Sequence, residues 1–299
     1  MMNAPIVICF GEVLWDIFPD KKIAGGAPMN VACHLHNLGL QTLIVSSVGK
    51  DAEGRELLEF LHTKGINTDF TEINAEHPTG TVIVQLDDNG VPAYEIANPA
   101  AWDFITFETE DLKLFKEAQA VIYGSLAARS EVSGKALMQL LSVSNLKVFD
   151  LNLRKPFYSK QLIEELLHQA DLIKLSDGEL LEILSWDSRS DRGDIRLKLE
   201  TIRSKFSLQG ILYTRGKDGA IFLDDRHCYS HGSFPVQVVD TVGSGDAFLS
   251  AFIKNFLQEE APAVCLKNAC AMGALVATRQ GGTPTIDQKA LNNFINQYQ

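Results

Sequence analysis

The chain has 299 residues, 45% of them apolar and 22% charged, with a net charge of −11 from 27 basic and 38 acidic side chains. That composition suits one large or two small water-soluble domains, and its acidic balance argues against a nucleic-acid surface or a polybasic membrane anchor. The first ten residues lack a basic leader and no apolar run is long enough to span a bilayer, so neither a signal peptide nor a transmembrane segment is expected.

Apolar and β-branched runs at 6–10, 43–45, 121–123, 148–150, 172–174, 211–214 and 220–223 read as strands. Helical spacing recurs near 29–37, 54–64, 135–141, 161–169, 191–205 and 263–278. This alternation predicts an α/β fold with a mainly parallel sheet. The stretch 79–107 breaks the rhythm. Residues 81–86 and 94–97 read as strands joined by a turn at Asp87-Asp88-Asn89-Gly90. Such a hairpin could pack on the core or project from it. The polar segment 185–194 reads as a loop between helices.

Near the start stands Gly25-Gly26-Ala27-Pro28-Met29-Asn30-Val31-Ala32. Two glycines allow the backbone to approach a ligand closely, and Pro28 suits the first turn of a helix. Asn30 then lies one turn in, with an amide that both donates and accepts, as recognition of sugar hydroxyls requires. Alone, the stretch reads more readily as a loop and helix start with an incidental Asn.

Near the end stands Asp240-Thr241-Val242-Gly243-Ser244-Gly245-Asp246-Ala247-Phe248. Val236, Val238 and Val239 ahead of it read as a strand, and Ala247, Phe248, Ala251, Phe252 and Phe256 behind it fall at helical spacing. The glycines therefore sit at a helix start, where free N–H groups and the helix dipole make an anion pocket. A carboxylate beside an anion pocket repels the anion. It has a use if it takes a proton from a hydroxyl that then attacks the anion, which is the need of phosphoryl transfer. A plain glycine-rich turn with an Asp at the helix start is the alternative reading.

Other chemistries lack their marks. There is no G-x-x-x-x-G-K-[ST] loop, and Phe248 stands where a dinucleotide fingerprint needs its third glycine. The seven histidines show no metal-ligand spacing. Five cysteines, Cys9, Cys33, Cys228, Cys265 and Cys270, contain no CxxC pair and predict free thiols in a reducing cytoplasm.

Together the two glycine-rich motifs resemble the paired signatures of the ribokinase-like (phosphofructokinase-B) sugar kinases. The resemblance spans nearly the whole chain. Gly11-Glu12-Val13-Leu14-Trp15-Asp16 resembles the opening of the bacterial fructokinase branch, and Asp150-Leu151-Asn152-Leu153-Arg154 and Thr214-Arg215-Gly216-Lys217-Asp218-Gly219 match two further segments. The resemblance implies a single domain over 1–299, with a three-layer α/β/α core and a small β-sheet lid formed by about 13–23 and 79–107. It implies an ATP-dependent kinase acting on a sugar primary hydroxyl, first of all a fructokinase. A ribokinase or nucleoside kinase of the same family is the alternative, and a catalytically silent sugar- or nucleotide-binding sensor is the non-enzyme alternative.

The residue roles implied are these. Asp246 is the base, and Gly243, Ser244 and Gly245 with it form the anion hole. Asp16, Gly26, Asn30, Arg154 and the lid residue Trp102 contact the sugar. Thr214, Gly216, Gly219 and Asn268 contact the nucleotide. Glu179 acts indirectly on Mg²⁺, with Ser176 standing where the family usually has Asn. Asp240, Val242, Arg279, Gly281 and Thr285 form a monovalent-cation loop for K⁺. Lid sheets of this family often pair, so a homodimer through an apolar lid face of Val82, Val84 and Leu86 is also implied, although that face could as easily pack internally.

Overall fold

A computed structural model describes residues 5–86, 92–186 and 193–298. The turn expected at 87–90 and most of the loop expected at 185–194 lie outside the described residues. The chain opens with β1 (Ile6–Phe10), β2 (Leu14–Ile17), β3 (Lys22–Gly25), α1 (Ala27–Asn37), β4 (Gln41–Gly49) and α2 (Ala52–Thr63). Next come β5 (Thr71–Asn74), β6 (Gly80–Leu86), β7 (Pro92–Ile96), the short α3 (Leu112–Phe115), β8 (Ala120–Gly124) and α4 (Glu131–Val143). They are followed by β9 (Leu146–Asp150), α5 (Lys160–Gln169), β10 (Leu172–Ser176), α6 (Asp177–Ser185), α7 (Ile195–Phe206) and β11 (Gly210–Thr214). The chain closes with β12 (Ala220–Leu223), β13 (Cys228–His231), α8 (Ser244–Leu257), α9 (Pro262–Ala277) and α10 (Gln288–Asn296).

Nine strands form one sheet in the order β13-β12-β11-β10-β9-β8-β1-β4-β5. All pair in parallel except β12 and β13, which add antiparallel at one edge. Alternate residues of each strand feed two separate cores. In β1, Val7 and Cys9 join the core under α1, α2, α8 and α9, whereas Ile8 and Phe10 join the core under α4 to α7. A parallel sheet covered on both faces needs such near-continuous apolar strands, which is why these runs were legible. The fold is the three-layer α/β/α arrangement expected. All five thiols are free, and no described helix is long and apolar enough to cross a membrane.

A second sheet, ordered β3-β2-β6-β7, rises beside the core. Trp15 anchors it: the indole Nε1 donates to the Glu53 carbonyl at 3.0 Å, and the ring meets Phe60 edge-on. Val82 and Val84 are buried with Leu14, against Phe18 and Ile96. These two positions of the expected dimer face are therefore covered within the chain.

Three expectations need correction. Residues 236–239 form no strand; Val238 and Val239 are 58% and 62% exposed. Their β-branched side chains favour a sheet only where a partner strand exists, and here the backbone N–H groups of Val239 and Asp240 turn instead to the Ala277 carbonyl of α9. Helix α7 begins at 195 because the Asp194 carboxylate caps it, accepting from the Leu197 N–H at 3.0 Å. Finally, residues 98–107 do not join the lid sheet. Trp102 is fully buried, and its ring lies 3.9 Å beneath the Arg129 guanidinium, which is itself paired to Asp103 at 2.7 Å. Trp102 therefore offers no surface to a sugar and belongs to the core. The edge strands β5 and β13 and the amphipathic α6 and α10 were not anticipated.

Candidate active site

The site is built around the start of α8. Gly243 is the N-cap residue, with φ +73°. A side chain there would strike the Gly282 carbonyl, so both conformation and space demand glycine. The Ser244 N–H is drawn to the Thr241 carbonyl at 3.2 Å. The N–H groups of Gly245 and Asp246 remain at the open first turn, where the helix dipole adds positive potential.

Asp246 shares this turn and accepts from Asn30 Nδ2 at 2.8 Å. Residues 216 positions apart thus meet, because α1 and α8 lie side by side under one face of the sheet. Burial pushes the Asp246 carboxyl above its usual range, with Lys174, Asn30 and Arg154 opposing. A carboxylate of raised basicity is better suited to accept a hydroxyl proton.

Lys174 supplies the cation of the site. It lies inside a buried run of β10, only 8% exposed, and its Nζ lies 2.9 and 3.0 Å from the two oxygens of Asp150. A side chain on Gly245 would begin 3.2 Å from that ammonium. Burial alone would lower the Lys174 pKa, but Asp150, Glu179 and Asp246 together hold it above the usual lysine range. A fixed positive charge beside free N–H groups is what a transferring phosphoryl group requires.

Near the start of α1, Asp16 of β2 lies against the Gly25 backbone, where any side chain would displace it. Gly26, at φ +113°, is pressed onto the Glu12 carbonyl. The two glycines thus make room for the chain's own Asp16 and Glu12, rather than only for a ligand. Burial raises Asp16 to about 6, with Arg154 opposing. Glu12, 2% exposed, caps α1 by accepting from the Ala27 N–H at 3.3 Å, and burial raises it to about 7. Arg154 is exposed, yet its charge falls on Glu12, Asp16 and Asp246 together. The structure thus gathers Asp16, Gly26, Asn30, Arg154 and Asp246 near one another.

A cavity of about 530 Å³ opens on the other side of the α8 turn. Thr214, Gly216 and Gly219 line it, as do Ser244 and Gly245 of the α8 turn. Its apolar wall comes from Phe234, Val236 and Val238 and from one stripe of α9, with Cys270, Gly273, Ala274 and Ala277 at helical spacing. Asn268 is not on that stripe. It faces α8 and donates to Asn255 Oδ1 at 3.1 Å, a bond between helices in place of the nucleotide contact expected of it.

Residues 8–289 match the pfkB family carbohydrate kinases. The chain belongs to that family. It is 29% identical to the probable fructokinase-5 of Arabidopsis thaliana, covering 97% of each chain. It is 27% identical to the fructokinase of Salmonella typhimurium, covering 97% of this chain and 99% of that one. Its fold superposes on a crystal structure of fructokinase with bound ATP from Xylella fastidiosa with a TM-score of 0.86, at 23% identity and 98% coverage of both chains.

Around this kinase's anion turn the remaining expected residues divide. The Asp240 carboxylate accepts from the N–H groups of Val242 and Gly281, each at 3.0 Å, so the two halves of the expected cation loop meet. Arg279 lies on that loop, its N–H bonded to the Val276 carbonyl. The Thr285 hydroxyl points elsewhere, to Lys64 Nζ at 3.5 Å, and the same ammonium holds the Thr283 carbonyl at 3.1 Å. Glu179 forms a reciprocal cap with Ser176 at the start of α6 and also reaches the Leu153 N–H.

Sequence reasoning gave Lys174 and Glu12 no role. A lysine inside the apolar run Leu172-Ile173-Lys174-Leu175 was the available signal, since a buried ammonium needs a partner. Glu12 carried no such signal, because nothing local shows that it is buried.

Proposed function

We propose that this kinase transfers the γ-phosphate of ATP to a primary hydroxyl of fructose. The observation that carries the reading is the meeting of Asp246, Asn30 and Lys174 at the open first turn of α8. ATP occupies the cavity with its phosphates toward Gly245. The sugar lies in the cleft between Asp16 and Asp246, held by Asp16, Asn30 and Arg154. Asp246 takes the hydroxyl proton as the oxygen attacks, and Lys174 with the Gly245 and Asp246 N–H groups balances the developing charge. The fructokinase names of the curated relatives support fructose as the acceptor.

Mg²⁺ bound with ATP would neutralise phosphate charge. Its fit here is indirect: no cluster of three metal-ligating side chains exists among the described residues, and Asp150 and Glu179 are engaged by protein donors. For K⁺, the converging segments at Asp240, Val242, Arg279 and Gly281 fit a carbonyl cradle, whereas Thr285 is drawn toward Lys64. The five free thiols support a reducing, cytoplasmic setting.

The test is sugar-dependent ADP release across fructose, ribose, glucose, tagatose and adenosine. The reading expects kcat/KM for fructose to exceed the others by at least about tenfold. Preference for ribose or adenosine would move the chain to another branch of the family. ATP binding without sugar-dependent turnover would make it a silent sensor.

A further inference from the structure

The turn that carries Arg154 is held in a conformation it would not adopt unaided. Asn152 has φ +39°, in the left-handed region that non-glycine residues rarely occupy. Two backbone bonds fix the turn from outside. The Leu151 N–H extends the β9–β10 ladder to the Lys174 carbonyl at 3.1 Å, and the Leu153 N–H donates to Glu179 Oε1 at 2.9 Å.

Glu179 is more than a helix cap. Its Oε2 accepts from the Ser176 N–H at 2.7 Å and the Ser176 hydroxyl at 2.8 Å. Both bonds come from Ser176 and use one oxygen of the carboxylate. The second oxygen reaches a residue 26 positions away and binds the one N–H between Asn152 and Arg154. Three protein donors thus converge on this carboxylate. The hydroxyl of Ser176 is spent on Glu179 as well. Such a pair leaves little for water around a metal ion.

We propose that Glu179 is a positioning residue: it sets the Asn152–Leu153–Arg154 turn, and so places the Arg154 charge over the sugar and phosphoryl sites. The inference rests on the sugar-kinase reading, with Arg154 in the cleft. It differs from the role of holding water on Mg²⁺, and the two roles separate experimentally.

A double-mutant cycle tests it, using wild type, Glu179→Gln, Arg154→Ala and the double variant. For each, kcat, KM for fructose and for ATP, the Mg²⁺ activation constant and the thermal midpoint are measured. If Glu179 works through Arg154, Glu179→Gln lowers kcat/KM for fructose by about tenfold and leaves the Mg²⁺ constant within about twofold. The double variant is then no worse than Arg154→Ala alone, to within about twofold. Glu179→Asp provides a second handle, because it keeps the charge but is too short to span both contacts. The positioning role expects it to behave like Glu179→Gln, and a purely electrostatic role expects it to behave like wild type. Additive losses in the double variant, wild-type behaviour of Glu179→Asp, or a Mg²⁺ constant raised about tenfold with sugar kinetics unchanged would each overturn the proposal. A wild-type protein without sugar-dependent ADP release would overturn the kinase reading itself. With an active wild type, additivity overturns only the positioning role.

Discussion

Replacing Lys174 by Met removes the ammonium and keeps an unbranched side chain of similar volume. The ammonium lies 3.2 Å from where a side chain on Gly245 would begin, so an anion held by the Gly245 N–H falls within a few ångströms of it. At an effective dielectric near 20, unit charges about 4 Å apart attract by about 4 kcal/mol. Only the part of that attraction that grows toward the transition state lowers the barrier. Losing one preorganised donor from such a site costs about 2.7–4 kcal/mol, or about 10²–10³ in kcat. Folding suffers by a separate route. Asp150, 3% exposed, loses its partner, and an uncompensated buried charge costs about 3–5 kcal/mol. The double variant Lys174→Met/Asp150→Asn removes both charges and separates the two effects. Coupled ADP release gives kcat, and urea unfolding gives stability. The single variant is expected to lose both. The double variant should regain most of the stability while kcat stays at least about a hundredfold down. If the double variant turned over within about threefold of wild type, Lys174 would not be part of the anion site.

Asp246→Asn keeps the size and the Asn30 contact but cannot take a proton, so turnover should fall by at least about 10²-fold with sugar binding largely kept, as judged by kcat and by fructose titration. Asp16→Ala should raise the apparent fructose constant about ten- to a hundredfold, from about 1–3 kcal/mol of lost hydrogen bonding, while KM for ATP hardly moves; equal weakening of both would misplace the residue. Because burial raises Asp16 to about 6, fructose KM should climb as pH falls through that value, and Asp16→Asn should flatten the climb. Glu12, raised from 4.5 to about 7, binds its proton more tightly in the folded chain, so a stability contribution of about 3 kcal/mol is complete below pH 4.5 and lost as pH rises past about 7. Urea unfolding of Glu12→Gln against wild type at acid and alkaline pH should show that difference, and parallel pH profiles would contradict it. If the Asp240–Gly281 loop takes K⁺, exchanging Na⁺ for K⁺ at fixed ionic strength should raise kcat, and equal rates would remove the cation from the mechanism.

Local signals carried much of this chain. The central strands were legible because a sheet buried on both faces leaves short unbroken apolar runs, as in Ile6–Phe10 and Val121–Tyr123. The α8 turn was legible because Gly243-Ser244-Gly245 and the helical spacing behind it are properties of adjacent residues. The edge strands β5 and β13 were not. Their residues are polar or half-exposed, and pairing with a neighbour is what makes them strands. Val236 to Val239 show the reverse case: strand-forming residues with no partner to pair with.

The sequence alone determined the α/β layering and the glycine turn that starts α8 with Asp246 in its first turn, because each depends on local pattern. Only tertiary structure decided which charges stand together. It put Lys174 of β10 beside Gly245 of α8, and Asn30 of α1 on Asp246. It also withdrew two candidates whose types fitted. Trp102 went under Arg129 into the core, and Asn268 turned to Asn255, away from the cavity beside the α8 turn. Residue type fixes what a side chain can bond, but burial makes a bond obligatory and packing chooses the partner. That choice lies between elements distant in the chain, where spacing along the sequence carries no information.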